Sequence, residues 1–181
     1  MNDFHEHVGT FIAALPMWFF VASVTMFGAI WGSFVAAMTA RWGRGESIAG
    51  RRSYCEQCFG QIANRDLVPM ISYLLLKGRC RNCGQKLGRR HLAIEAGSAL
   101  LAAFAALTLQ PAEALALALF AWLLLPLIIL DYEHLWLPDR LVLLLAAGAI
   151  LVSPLLTPDI AWSERVIGAA AGFASLETIR R

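Results

Sequence analysis

Charge is what this chain has least of. Only 15% of its 181 residues are Asp, Glu, Lys or Arg, against 59% hydrophobic. A soluble domain runs near about 45–50% apolar and about 25% charged, which excludes an ordinary water-soluble globule. No Lys or Arg precedes Arg41, and Asp3 and Glu6 are acidic. A secretory leader needs a basic start and a shorter apolar core, so the first apolar run is an anchor that stays. Cysteine is absent outside residues 55–83, and the chain has neither internal repeats nor low-complexity tracts.

The charge that is present is unevenly placed. Of 15 Lys and Arg, eleven lie between Arg41 and Arg90, opposed there only by Glu46, Glu56 and Asp66, so the segment carries +8. Apolar runs flank it on both sides. The positive-inside rule then reads it as a cytoplasmic loop rather than a nucleic-acid patch, and no nucleic-acid partner is expected. Membrane lipids are.

A span of about 20 helical residues crosses the roughly 30 Å hydrocarbon layer. Residues 16–40 suffice, with Trp18, Phe19 and Phe20 at one end and Trp42 just past the other, as interfacial aromatics stand. Gly28 and Gly32 within it predict close helix packing through small residues. A second span is expected over about 92–109 and a third over 114–130, the latter without a charged side chain and with Pro126 disturbing its last turn. A shorter fourth span runs from Leu141 to about Val152, and a fifth begins near Val166. Gln110-Pro-Ala-Glu113 and the Pro154–Pro158 region read as outer turns, and residues 131–140 as a short charged inner loop. Arg180 and Arg181 then fall inside, in agreement with the charge rule. The expected fold is all-α: a polytopic membrane helix bundle with an inserted cytoplasmic four-cysteine zinc loop. Its parts are an extracytoplasmic segment 1–15, the first span 16–40, the zinc loop 41–91 and the remaining spans 92–181.

Cys55-x-x-Cys58 and Cys80-x-x-Cys83 are 21 residues apart in the only long polar stretch. Two such pairs supply four thiolates to one tetrahedral zinc. Cys58-Phe-Gly60 and Cys83-Gly84 each add a turn element. The same spacing also serves redox dithiols, but a cytosolic setting favours metal over disulfide. A closed four-cysteine site keeps no open position, so its role is structural. Val68–Leu76 is the loop's only apolar run, placed either under the metal or on the membrane surface; so small a core needs a staple.

Asp131 ends the third apolar run. An acid at that boundary either has a use or is a solvated interfacial residue. Two carboxylates sharing a proton activate water for peptide hydrolysis. Asp139, eight residues on, is a possible second, although after Pro138 it also suits the first turn of a helix. Glu133 and His134 could also sit near the pair, but each reads first as a solvated loop residue. Glu95, near the start of the second span, has three open roles: capping a helix, pairing with Arg89 or Arg90, or supporting the site. Helix-end pairing is the default.

These segments resemble the type IV prepilin peptidase family, the bifunctional leader peptidase and N-methyltransferase of bacterial inner membranes. The likeness runs from Gly32 to Gly172 through Gly32-Ser-Phe34, Cys55-x-x-Cys58, Arg65-Asp-Leu-Val-Pro-Met-Ile-Ser72, Lys77-Gly-Arg-Cys-Arg-Asn-Cys-Gly84, Glu95, and Asp131 through Leu137-Pro-Asp139. It implies an intramembrane aspartyl peptidase that removes the basic leader of prepilins or pseudopilins after a glycine. The new N-terminal amine is then methylated from S-adenosylmethionine. Asp131 becomes the first catalytic aspartate. The family's second sits in a Gly-x-Gly-Asp motif, which residues 1–181 do not contain, and His91-Leu92 replaces its usual Tyr-Pro. The expectation is an incomplete copy, inactive as a peptidase unless another chain supplies the acid. The competing expectation is a non-catalytic zinc-binding scaffold of a pilus or secretion system. No glycine-rich methyl-donor loop is visible, so the S-adenosylmethionine site is unassigned.

Overall fold

The computed structural model describes residues 16–47, 53–55, 57–157 and 159–180. The N-terminal segment 1–15, with Asp3 and Glu6, lies outside them, as do Arg51, Arg52, Glu56, Pro158 and Arg181. Helix α1 is Met17–Gly43, α2 a short helix Ile71–Leu75, α3 Arg90–Thr108, α4 Pro111–His134, α5 Asp139–Leu156 and α6 Trp162–Arg180. A 3-10 turn covers Asn64–Leu67. Among the described residues α1, α3 and α4 are long and apolar enough to cross a membrane. The protein is an all-helical membrane bundle with a cysteine-bearing loop between α1 and α3.

The centre of the bundle is a seam of small side chains. The buried residues of α1 include Phe20, Val24, Gly28, Gly32, Val35, Ala36 and Thr39. Those of α3 are Glu95, Ser98, Ala99, Ala102, Ala105 and Ala106. Both sets recur every three or four residues, so each helix buries one face. The crossing is closest at the two glycines. A Cβ on Gly32 would lie 2.8 Å from the Glu95 Cα and 2.9 Å from the Ile94 carbonyl oxygen, and one on Gly28 2.9 Å from the Ala102 Cβ. The Ser98 hydroxyl donates to the Gly28 carbonyl at 2.7 Å. Backbones approach this closely only where side chains are nearly absent, as the glycine spacing predicts. α4 closes the unit with Ala114, Ala118 and Trp122 against α1 and α3, and the Trp31 indole donates to the Trp122 carbonyl at 3.0 Å.

Several boundaries differ from the sequence expectation. Residues 131–134 are not loop: α4 continues through them and stops at Leu135, which takes a left-handed conformation (φ 49°) without glycine's help. The acids that suggested a loop only mark where the helix leaves the apolar layer. Pro154 lies inside α5, not beyond it. α6 starts at Trp162, four residues early. Pro126 is buried within α4, and the helix runs on for two more turns. The Val68–Leu76 run does not pack under the cysteines, since Val68, Ile71, Leu74 and Leu75 are all exposed.

Candidate functional site

Each cysteine pair sits in a knuckle with the same bonding. In the first, the Cys55 N–H donates to the Gly60 carbonyl at 2.9 Å and the Phe59 N–H to the Cys55 carbonyl at 2.8 Å. In the second, the Cys80 N–H donates to Gln85 at 2.8 Å and the Gly84 N–H to Cys80 at 2.9 Å. The residue after the second cysteine takes positive φ in both, 55° at Phe59 and 69° at Gly84. Phe59, not Gly60, therefore makes the first turn; its ring stacks on Tyr54 with centroids 6.3 Å apart. A bidentate pair from Arg81 to Asp66, at 2.8 and 2.6 Å, ties the second knuckle to the 3-10 turn and holds the Asp66 carboxyl below its ordinary range.

All four cysteines are unbridged, and their sulfurs lie within 4.8 Å of one another. Thiolates about 2.3 Å from a tetrahedral ion stand about 3.8 Å apart; the Cys55 and Cys83 sulfurs are 3.9 Å apart. The N–H groups of Cys83 and Asn82 draw the Cys80 thiol down to about 7. Against a hydrogen bond from the Gln85 N–H, burial and the other sulfurs push Cys83 up to about 11. Four sulfurs this crowded shed their protons together only around a cation. The donor set and spacing fit a closed four-thiolate metal site.

Beneath the knuckles is a cavity of about 650 Å³, walled by the loop, the end of α1, the start of α3 and the last turn of α4. Glu95 lines it and is buried, with 7% of its surface exposed. Its carboxylate does not pair with Arg89 or Arg90. It accepts from the Met70 N–H at 2.8 Å, across 25 residues, and so holds the start of α2. Met70 has φ 58° and ψ −47°, and the Ile71 N–H donates to the Pro69 carbonyl. That is a γ-turn of the rare, strained hand.

Arg90 has other partners. Its guanidinium makes a bidentate pair with Glu133 at 2.5 and 2.7 Å. It also donates to the Ala36 carbonyl at 2.8 Å and the Thr39 hydroxyl at 2.7 Å. One side chain thus joins α1, α3 and α4 at their shared end. Glu133 is therefore a tether rather than a solvated loop residue. His134 lies against Gly43, where any Cβ would collide with its ring. The sequence gives no local signal for this network, because its members are 51 and 43 residues apart.

Asp131 stands on the same last turn of α4, two residues before Glu133, and is exposed. Its carboxylate has no hydrogen bond or ion pair among the described residues. Asp139 is the first residue of α5, in the first-turn position expected after Pro138. No bond joins the two acids in the structure.

Fold and site together define a polytopic membrane protein whose helix bundle carries a four-cysteine metal-site loop over a carboxylate-lined cavity. Residues 26–109 match the bacterial peptidase A24 N-terminal domain, and residues 118–181 match the type IV leader peptidase family. The chain belongs to the type IV leader peptidase family. A prepilin leader peptidase/N-methyltransferase of Aeromonas salmonicida (strain A449) is 38% identical over 126 residues, covering 69% of this chain and 43% of that protein. One from Bacillus subtilis (strain 168) is 32% identical over 158 residues, covering 85% and 62%. One from Pseudomonas putida is 31% identical over 199 positions, covering 94% and 66%. The chain spans about half the length of the first curated relatives it matches. No solved structure matches it significantly.

Proposed function

We propose that this chain carries the metal-bearing loop and the first catalytic aspartate of an intramembrane aspartyl peptidase. Its substrates are the leaders of type IV prepilins or pseudopilins, and its second activity is N-methylation of the new N-terminus from S-adenosylmethionine. Asp131 is the catalytic acid contributed by residues 1–181. Residues 41–91 form the cytoplasmic loop domain, with Cys55, Cys58, Cys80 and Cys83 holding a structural zinc, the ion suited to a closed four-cysteine tetrahedron. Residues 92–181 belong to the peptidase core. The protein sits in the bacterial inner membrane with the loop inside, because the +8 segment between two spans is retained in the cytoplasm.

The observation that carries this reading is the position of Asp131. It is an acid with no hydrogen bond or ion pair among the described residues, at the end of a spanning helix, on a turn pinned by Arg90. Such an acid is available to share a proton with a second carboxylate across a scissile peptide bond. Asp139 has a supporting place at most, since its charge already meets the α5 helix dipole. The pair needs a second acid, and none is bonded to Asp131 among the described residues.

The lack of any acid bonded to Asp131 also favours a second reading, a zinc-bearing scaffold without hydrolytic activity. The two separate on one experiment. Membranes expressing the full reading frame are incubated with a prepilin, and the N-terminus is read by mass spectrometry. Loss of the leader with gain of a methyl group supports the enzyme. A zinc-loaded protein that leaves the leader intact at high enzyme concentration supports the scaffold.

A further inference from the structure

We infer that α2 lies in the border of the lipid bilayer, with Ile71, Leu74 and Leu75 inserted among the acyl chains and the basic side chains beside them on anionic headgroups. This placement needs only that α1 and α3 span the membrane, and so stands apart from the peptidase activity.

The short helix is inside out for water. Ile71, Leu74 and Leu75 are its exposed large apolar residues, the two leucines to 65% and 78%. They are spaced i, i+3 and i+4 and therefore share one face. Ser72, Tyr73 and Leu76, on the opposite face, line the cavity. A helix on a soluble surface turns its apolar stripe inward and its polar residues out. Here the hydroxyl-bearing side chains face protein and the aliphatic ones face out, an arrangement favoured where the medium outside is apolar. Leu67 and Val68, just before the helix, are exposed as well and extend the patch.

Glu95 sets the depth. α3 has 19 residues, about 28 Å at about 1.5 Å per residue, and the hydrocarbon layer is about 30 Å thick. Nearly all of the helix is needed to cross, so its first turns stand at the border. Glu95 is in the second of them, and its buried carboxylate accepts from the Met70 N–H at 2.8 Å. Helical side chains lean toward the N-terminus, so this bond holds the start of α2 level with the first two turns of α3. From that height the leucines reach lipid rather than bulk water.

Charge names the lipid. Arg65 and Lys77 bracket the apolar stretch and are exposed. The one acid between them, Asp66, is bound to Arg81. Long basic stems lie along apolar surface while their charged heads stay at headgroup level. An inserted apolar face with a basic rim is the pattern of interfacial helices on anionic membranes.

The test uses the full-length, metal-loaded protein in nanodiscs of phosphatidylcholine and phosphatidylglycerol, which leave both membrane faces open to solutes. Leu75→Cys is labelled with a nitrobenzoxadiazole dye, and the wild type taken through the same labelling supplies the background. Leu74→Cys is the second site if Leu75→Cys fails to retain metal. Nitroxide-bearing lipid should quench the dye, and aqueous dithionite should reduce it about tenfold more slowly than the free dye. A dye reduced as fast as the free one overturns the inference, since α2 then faces water. A dye shielded from dithionite yet untouched by the lipid quencher overturns it as well, since another part of the protein then covers the face. Lys77→Gln should lower the ratio of lipid-inserted to water-exposed dye by about fivefold, the contribution of one basic side chain near an anionic surface. An unchanged ratio overturns the role given to the basic rim.

Discussion

The loop and the bundle are held together in opposite ways. In the bundle, stability is spread along a seam: Gly28 and Gly32 of α1 against Glu95, Ser98 and Ala102 of α3, with α4 behind them. No single contact dominates. Among the described residues the loop has no such seam. Phe59, Leu67, Ile71, Leu74 and Leu75 are exposed, and order comes from two knuckles of two backbone bonds each, the Arg81–Asp66 pair and four clustered sulfurs. The difference teaches where each region is vulnerable. The loop has one centre whose loss removes everything; the bundle has many small contacts whose loss is graded.

Removing the metal should have the largest effect. Structural zinc contributes about 10–16 kcal/mol of apparent folding energy in small four-ligand domains. Chelation, or Cys80→Ser, should open residues 53–88 to limited proteolysis while α1, α3 and α4 stay helical by circular dichroism. Simultaneous collapse of both regions would break the comparison. Metal uptake should also weaken as pH falls. Protons compete for the thiolates, and with Cys80 at about 7 and Cys83 at about 11 in the metal-free site, binding releases protons that a weakly buffered titration detects.

Gly32→Ala should do the reverse. The new Cβ meets backbone rather than a flexible side-chain end, so the helices must separate, at a cost of about 1–3 kcal/mol. Unfolding in mixed detergent should shift while metal content is unchanged. Gly172→Ala is the control, since nothing lies within 4 Å of its added Cβ.

Arg90→Ala cuts the tether that joins α1, α3 and α4 at the end of the bundle nearest the loop. Its pair with Glu133 is half-buried, with side-chain exposures of 29% and 27%, so the loss should be about 2 kcal/mol. The last turn of α4 should loosen first, visible as faster amide exchange at residues 131–134. The smallest effect belongs to the Asp66–Arg81 pair, in which the Arg81 side chain is 48% exposed. The depressed Asp66 carboxyl stabilises the loop at pH above its unfolded value near about 3.9. That contribution is lost as pH falls through the lower folded value. Arg81→Ala should remove this acid-side dependence and leave neutral-pH metal content unchanged.

The two regions also differed in how far they could be read from sequence. The spans announce themselves by apolar length, the glycine crossing by its spacing of four, and the knuckles by Cys-x-x-Cys. Each of these is a local pattern. The Arg90–Glu133–Thr39 tether, the reach of Glu95 to Met70 and the cavity they border are made by residues brought together only by folding. Charge misled at 131–134, where acids at the membrane border looked like loop but continue the helix. Leu135 concealed the helix end, because the left-handed stop there lacks the glycine that marks such stops.

The central claim is that Asp131 supplies an acid for leader cleavage and not a structural contact. The direct measurement is mass spectrometry of a prepilin, and separately of a pilin already lacking its leader, after incubation with the full-length Asp131→Asn protein. The account predicts leader cleavage reduced by about 10²-fold or more, with zinc retained and methylation of the pre-cut pilin intact. Cleavage by that variant at the wild-type rate would contradict it.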